Sequence, residues 1–225
     1  MYYIGTIPCD PNYLEHYGIK GQKRGVRRFQ NADRTWTEEG KIRYGHKGEP
    51  RYKKQVDKLN EMMNSEWDYG VMDHGKRLTD TQNYNWGRDY RTTPVEELEK
   101  TKIGTCWDFT NYQHAKLKKM GIPDKTYMVL IPKSSNPDDL VTHTFTIFGK
   151  NDKEQYWLES AAWPKRGVHK VNSYKDVVSE LMDMYGNPGF GYELYQYNPE
   201  GMDKGLTDKE YFNRATDDRN YVDGE

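Results

Sequence analysis

A thiol, an imidazole and a carboxylate stand in this chain in settings that suit nucleophilic catalysis: Cys106, His143 and Glu159. A thiol is a weak nucleophile until it loses its proton, and the first turn of a helix favours the thiolate through unpaired amides and the helix dipole. Thr105 and Asp108 carry the hydroxyl-then-carboxylate spacing of a capping box, which sets Cys106 at the first helical position. Free cysteines are also commonly small buried hydrophobes, so position alone leaves both readings open. His143 lies in Thr142–Phe148, where alternation puts it on one strand face with Phe145 and Ile147. The following strand supplies a partner. If Phe148 and Glu154 close a hairpin around Gly149–Lys153, Ile147 faces Gln155, Phe145 faces Trp157 and His143 faces Glu159. Glu159 stands beside Leu158 and the run Ala161-Ala162-Trp163, where an unpaired charge would be costly.

Together these groups make a nucleophile, a base and an orienting acid. The imidazole takes the thiol proton and later protonates a leaving amine, while the carboxylate fixes its tautomer. The backbone N–H of Cys106 is the expected first oxyanion donor.

The elements that must position these groups follow from patterning. Val56, Leu59, Met62 and Met63 fall at helical spacing over Lys53–Trp67, and residues 68–92 read as irregular. Helix starts are expected at Thr93 with Glu96, at Thr105 with Asp108, and at Ser173 with Asp176. Gly121-Ile122-Pro123 should end the second of these helices and Gly186-Asn187-Pro188 the third. Strands are expected at Thr126–Pro132, Thr142–Phe148, Glu154–Ser160 and Tyr192–Tyr197. Strands so close in sequence must be largely antiparallel, which makes the class α+β.

Composition bounds the rest. The apolar fraction is 34%, and the 19 Tyr and 6 Trp supply much of the buriable area. Mean hydropathy is −1.13, so the core is not expected to use the whole chain. Residues 1–54 carry 12 Lys/Arg against 6 Asp/Glu, and residues 200–225 carry 4 against 8. A basic Gly-rich arm over residues 1–52, an enzyme domain over 53–198 and an acidic tail over 199–225 are the expected organisation. The two cysteines cannot form a disulfide scaffold, and a Cys9–Cys106 bridge would consume the nucleophile. The first residues do not form a signal peptide and no run is long enough to span a bilayer, so a soluble protein of a reducing compartment is expected.

Gly104-Thr105-Cys106-Trp107-Asp108-Phe109 resembles the nucleophile segment of transglutaminase-like cysteine enzymes, in the wider papain-like superfamily. His143-Thr144-Phe145, then Trp157-Leu158-Glu159 and Trp163, resembles their His-strand, turn and Trp-x-x-Asp strand. Tyr90–Leu98 resembles the short helix before their cysteine. The resemblance covers roughly residues 68–197, with one departure: the acid is usually Asp and here is Glu159. It implies a papain/transglutaminase-like α+β fold with the nucleophile helix packed on an antiparallel sheet. It also implies a thiol peptidase, amidase or acyltransferase acting on a peptide or protein. A second oxyanion donor is expected near Gln82, Tyr84, Asn85 and Trp86, with Gln82, Trp86 and Trp107 as oxyanion or substrate-side candidates.

His16–Asn31, continuing through Thr37–Gly45, is similar to a segment found in phage and prophage proteins of Gram-positive bacteria, with Arg24 where that segment usually has Trp. That resemblance implies a bacteriophage or prophage context, in the host cytoplasm or on the virion, with other phage structural proteins as partners of the arm. It makes protein processing the expected task, and the arm itself a candidate substrate.

No metal and no cofactor is expected. The histidines at 16, 46, 74, 114, 143 and 169 have no metal-binding spacing, and no phosphate-binding loop occurs. Nucleic acid is not an expected partner, although the basic arm could touch phosphates. The contrasting class is a non-catalytic phage structural or docking protein on the same fold.

Overall fold

The computed structural model describes residues 51–136, 139–185 and 190–224, so the basic arm before residue 51 lies outside the described residues. Helix α1 (Arg51–Glu66) buries Val56, Leu59 and Met63, the stripe that its spacing predicts. Residues expected to be irregular contain short strands β1 (Asp68–Tyr69), β2 (Val71–Asp73) and β3 (Lys76–Leu78), then α2 (Trp86–Asp89), capped by the Asn85 side chain.

Helix α3 (Val95–Thr101) corrects one expectation. Pro94, not Thr93, caps it, with no side-chain cap bond. The Thr93 N–H instead donates to the Asp108 carboxylate at 2.8 Å. After β4 (Ile103–Gly104), helix α4 (Cys106–Lys119) opens on the expected capping box at Thr105 and Asp108. It ends as Gly121 takes φ +68°, with Gly121 N–H bonded to Lys118 O and Ile122 N–H to Leu117 O. That is a Schellman close, and a side chain at Gly121 would be strained.

The main sheet has six strands in the order β10-β9-β5-β6-β7-β8, every neighbour pair antiparallel. They are β5 (Asp124–Pro132), β6 (Leu140–Asn151), β7 (Glu154–Glu159), β8 (Gly167–Val171), β9 (Glu193–Tyr197) and β10 (Tyr221–Gly224). The α+β class is therefore as expected, with two edge strands, β8 and β10, that patterning did not show. One face packs Tyr127, Val129, Phe145, Ile147 and Trp157 against Val177, Val178 and Leu181 of α5 (Tyr174–Tyr185). Helix α5 starts after Ser173, whose hydroxyl accepts from Lys175 N–H, but the Asp176 carboxylate takes the N–H of Asn172 rather than of Ser173. Its expected stop at 186–188 lies outside the described residues.

The opposite face packs Met128, Leu130 and Tyr197 against Met202, Leu206, Tyr211 and Ala215. Leu206 precedes helix α6 (Asp208–Ala215), which carries its own capping box from Thr207 and Glu210. Residues after 198 therefore belong to the same compact unit as the sheet, in place of the expected free acidic tail. Their many charges occupy the solvent side of an amphipathic helix, and that concealed the buried Leu206, Tyr211 and Ala215. Among the described residues no helix is long and apolar enough to cross a membrane.

The β6–β7 hairpin also departs from the expected register. Ile147 pairs with Trp157 and Phe148 with Tyr156, while Asn151 pairs with Glu154 across an irregularity. The turn is thus Asp152-Lys153, and the strands slide by two residues relative to the expected pairing. At Gly149 a Cβ would come within 2.1 Å of the Glu154 carbonyl oxygen. The close approach that this glycine permits accommodates the one extra residue of β6 at the irregularity. A slip of two preserves side-chain parity, so Glu159 stays on the His143 face, diagonally offset rather than directly opposite.

Candidate active site

Cys106 occupies the first turn of α4 as a free, buried thiol. Asp108 fastens that turn. Its buried carboxylate accepts from Thr105 N–H at 3.0 Å, from the Thr105 and Tyr90 hydroxyls at 3.1 Å each, and from Thr93 N–H. Burial nevertheless pushes its pKa up to about 6, the donors offsetting only part of that cost.

The β6–β7 ladder stops at Thr146 and Leu158. Beyond that point the Thr144 backbone N–H is directed at the Cys106 sulfur. The helix is held on the strand there by Thr110, whose hydroxyl lies 3.2 Å from that of Thr144. His143 comes from the neighbouring strand position and is 3% exposed. Its Nε2 is 2.9 Å from Glu159 Oε2, which leaves Nδ1 for the thiol. Glu159 Oε1 in turn accepts from the N–H groups of Ala161 and Ala162, each at 2.7 Å. Two backbone donors and one imidazole thus hold a carboxylate that is almost fully buried.

The electrostatics follow from these contacts. Burial pushes the Cys106 thiol up, but the His143 imidazole and the Thr144 donors outweigh it and bring the pKa below the ordinary value. Burial pushes His143 down, and Glu159 together with the thiol overcomes this and carries it up to about 10. Burial raises Glu159, which His143 and the two N–H groups bring below the usual carboxylate range. The contacts therefore favour the charged form of all three groups: they shift the pair toward thiolate and imidazolium and keep Glu159 a carboxylate.

Sequence reasoning missed two tyrosines. The Tyr69 hydroxyl lies beside the Cys106 sulfur and backbone N–H, and the charge on the sulfur, with burial, pushes its pKa well up. Tyr69 gets there through a parallel ladder that pairs it with Gly104, reinforced by Gly70 N–H donating to Gly104 O. A pair of two-residue strands leaves no periodic signal. Tyr185, at the end of α5, sets its ring 6.1 Å from the His143 ring.

A cleft of about 600 Å³ opens onto Cys106. Trp86 and Trp107 line it, as do Tyr69, Tyr90, Leu140 and Phe212. Gln82 is exposed and does not line it; its backbone N–H bonds the Asp80 carboxylate. The remaining described histidines serve elsewhere: His114 pairs with Asp124 at 2.9 Å and His169 with the Lys165 carbonyl at 2.8 Å, while His74 is exposed in the β2–β3 turn. Among the described residues no group of three or more His, Cys, Asp or Glu side chains could hold a metal ion.

No family model matches the chain, and no curated protein matches it significantly.

Proposed function

We propose that the chain is a cysteine-dependent hydrolase or acyltransferase of peptide or amide bonds, on a papain/transglutaminase-like fold, with Cys106, His143 and Glu159 as its triad. The observation that carries this reading is the buried imidazole held by Glu159 through Nε2 at 2.9 Å, with its other nitrogen left for a thiol at a helix start.

In this mechanism the Cys106 thiolate adds to the carbonyl carbon of a bound amide. The carbonyl oxygen becomes an oxyanion within reach of the Cys106 N–H, on the side where the Tyr69 hydroxyl lies. The imidazolium of His143 gives its proton to the amide nitrogen, the C–N bond breaks, and the amine leaves behind a thioester. Water or a second amine then attacks the thioester. His143 takes a proton from that nucleophile, and the thiolate departs. Glu159 carries no proton through the cycle; it keeps Nε2 protonated, so that Nδ1 is the nitrogen that exchanges protons with thiol and leaving group.

A peptidase in a phage or prophage context is the preferred form, on the strength of the segment at residues 16–45, which lies outside the described residues. A second reading, a non-catalytic docking protein on this fold, draws support from Tyr69, whose hydroxyl covers the nucleophile. Alkylation separates the two. Under the enzymatic reading, iodoacetamide labels Cys106 at neutral pH far faster than Cys9, followed by peptide mass spectrometry. Equal, slow labelling of both cysteines would leave the docking reading standing.

A further inference from the structure

We infer that the cleft beside Cys106 receives a bulky apolar side chain of the substrate, aromatic or large aliphatic, next to the bond that is cleaved; this rests on Cys106 being the nucleophile.

One wall, lined by Trp86, Tyr90 and Trp107, belongs to a continuous run of rings that ends on the buried Tyr211. Trp86 meets Tyr90 at 5.4 Å between centroids and Tyr90 meets Trp107 at 5.5 Å, while Trp107 stacks on Tyr211 at 4.6 Å with only 6° between planes. Each ring is braced by the next, so the wall is pre-formed and little ordering is needed on binding. At the mouth, Leu140 and Tyr69 are large apolar residues left 36% and 41% exposed, although both line the cleft. Their solvent cost is recovered when an apolar group covers them.

The charges of the cleft argue in the same direction. Apart from the Cys106 sulfur, whose charge is balanced by His143 behind it, the charges that line it are Asp208 and Lys209, adjacent and of opposite sign, so the rim favours neither cation nor anion. Deeper in, Tyr90 already gives its hydroxyl hydrogen to Asp108. A charged substrate side chain would be desolvated there without a partner, whereas an apolar one gains from leaving water. The volume of about 600 Å³ lies within the range of about 300–1,000 Å³ of ligand sites, enough for an aromatic side chain with its flanking backbone.

The test is protection of Cys106 in the full chain. Its alkylation by iodoacetamide is followed by mass spectrometry in the presence of N-acetyl amino acid amides of Phe, Leu, Gly, Asp and Lys. The Phe and Leu amides should half-protect at concentrations roughly tenfold or more below the Gly amide, with Asp and Lys no better than Gly. Equal protection by all five, or best protection by a charged amide, overturns the inference. The run without any amide stands apart. If Cys106 then reacts no faster than Cys9, the nucleophile assignment itself has failed.

Discussion

Replacing Glu159 by Gln tests how much the thiol depends on a group that never touches it. The substitution keeps size and shape, and the Gln carbonyl can still accept from Ala161 and Ala162 N–H, so the local fold should persist. The charge is what goes. His143 is carried from 6.5 to about 10, with Glu159 its strongest upward influence. At about 1.36 kcal/mol per pH unit, that is on the order of 5 kcal/mol in favour of the imidazolium, shared between Glu159 and the thiol. With the carboxylate gone, only the thiol still opposes burial, and the imidazolium is strongly disfavoured. The Gln amide then donates to Nε2, so the ring proton moves to Nδ1 and the nitrogen facing the thiol is no longer a base. The thiol loses its counter-charge and its pKa climbs. We expect iodoacetamide alkylation of Cys106 at pH 7 to fall by about tenfold or more, with the rate recovering only in alkaline buffer. Turnover of an amide substrate should drop further, by roughly 10³–10⁴, because the tautomer is wrong for proton transfer. An alkylation rate within about twofold of the parent at pH 7, with the fold retained by circular dichroism, would refute the argument; a twofold change in rate is well under 1 kcal/mol.

Three further outcomes are expected. Amide turnover should lose its alkaline limb near pH 10, as His143 gives up the proton needed by the leaving amine, whereas alkylation, which needs only thiolate, should show no such fall. Asp108 has its folded pKa raised from 3.8 to about 6, so the stability it contributes is full below 3.8 and is lost as pH rises through 6, by about 3 kcal/mol. Asp108→Asn lacks that dependence and misplaces an NH₂ among N–H and O–H donors, so it should cost about 1–3 kcal/mol in acid, with the gap to the parent narrowing toward pH 7 in urea titrations. Gly149→Ala puts a methyl 2.1 Å from the Glu154 carbonyl oxygen and should lower stability by about 1–3 kcal/mol; an unchanged thermal midpoint would show that the hairpin turn can move freely.

What was legible in the sequence was chiefly local. The capping box that sites Cys106, the glycine stop of α4 and the face of His143 each depend on a few adjacent residues, and each stands in the structure as read. Glu159 also meets His143, although by a different register from the expected one, because parity survives a slip of two residues. The features that escaped are non-local. Tyr69 reaches the thiol only because β1 pairs with β4 across more than thirty residues, a contact that no short window contains. The last ring of the aromatic run, Tyr211, comes from α6, whose charged surface masked its buried side. Thr93 failed as a cap because Asp108, on another helix, claimed its N–H.

The same wall bears on when the site comes into being. Tyr211, on which Trp107 stacks, also hydrogen-bonds Asn111, 100 residues earlier, and Thr92 exchanges bonds with Leu206 across 114. On a ribosome, a growing chain displays the thiol, the imidazole and the carboxylate long before the segment that braces them has emerged. For that interval Trp107 has no ring to stack on and the cleft lacks Phe212 and Asp208. Synthesis order therefore separates two events: Cys106, His143 and Glu159 are all made early, but the cleft beside them is complete only after helix α6 has been translated and docked.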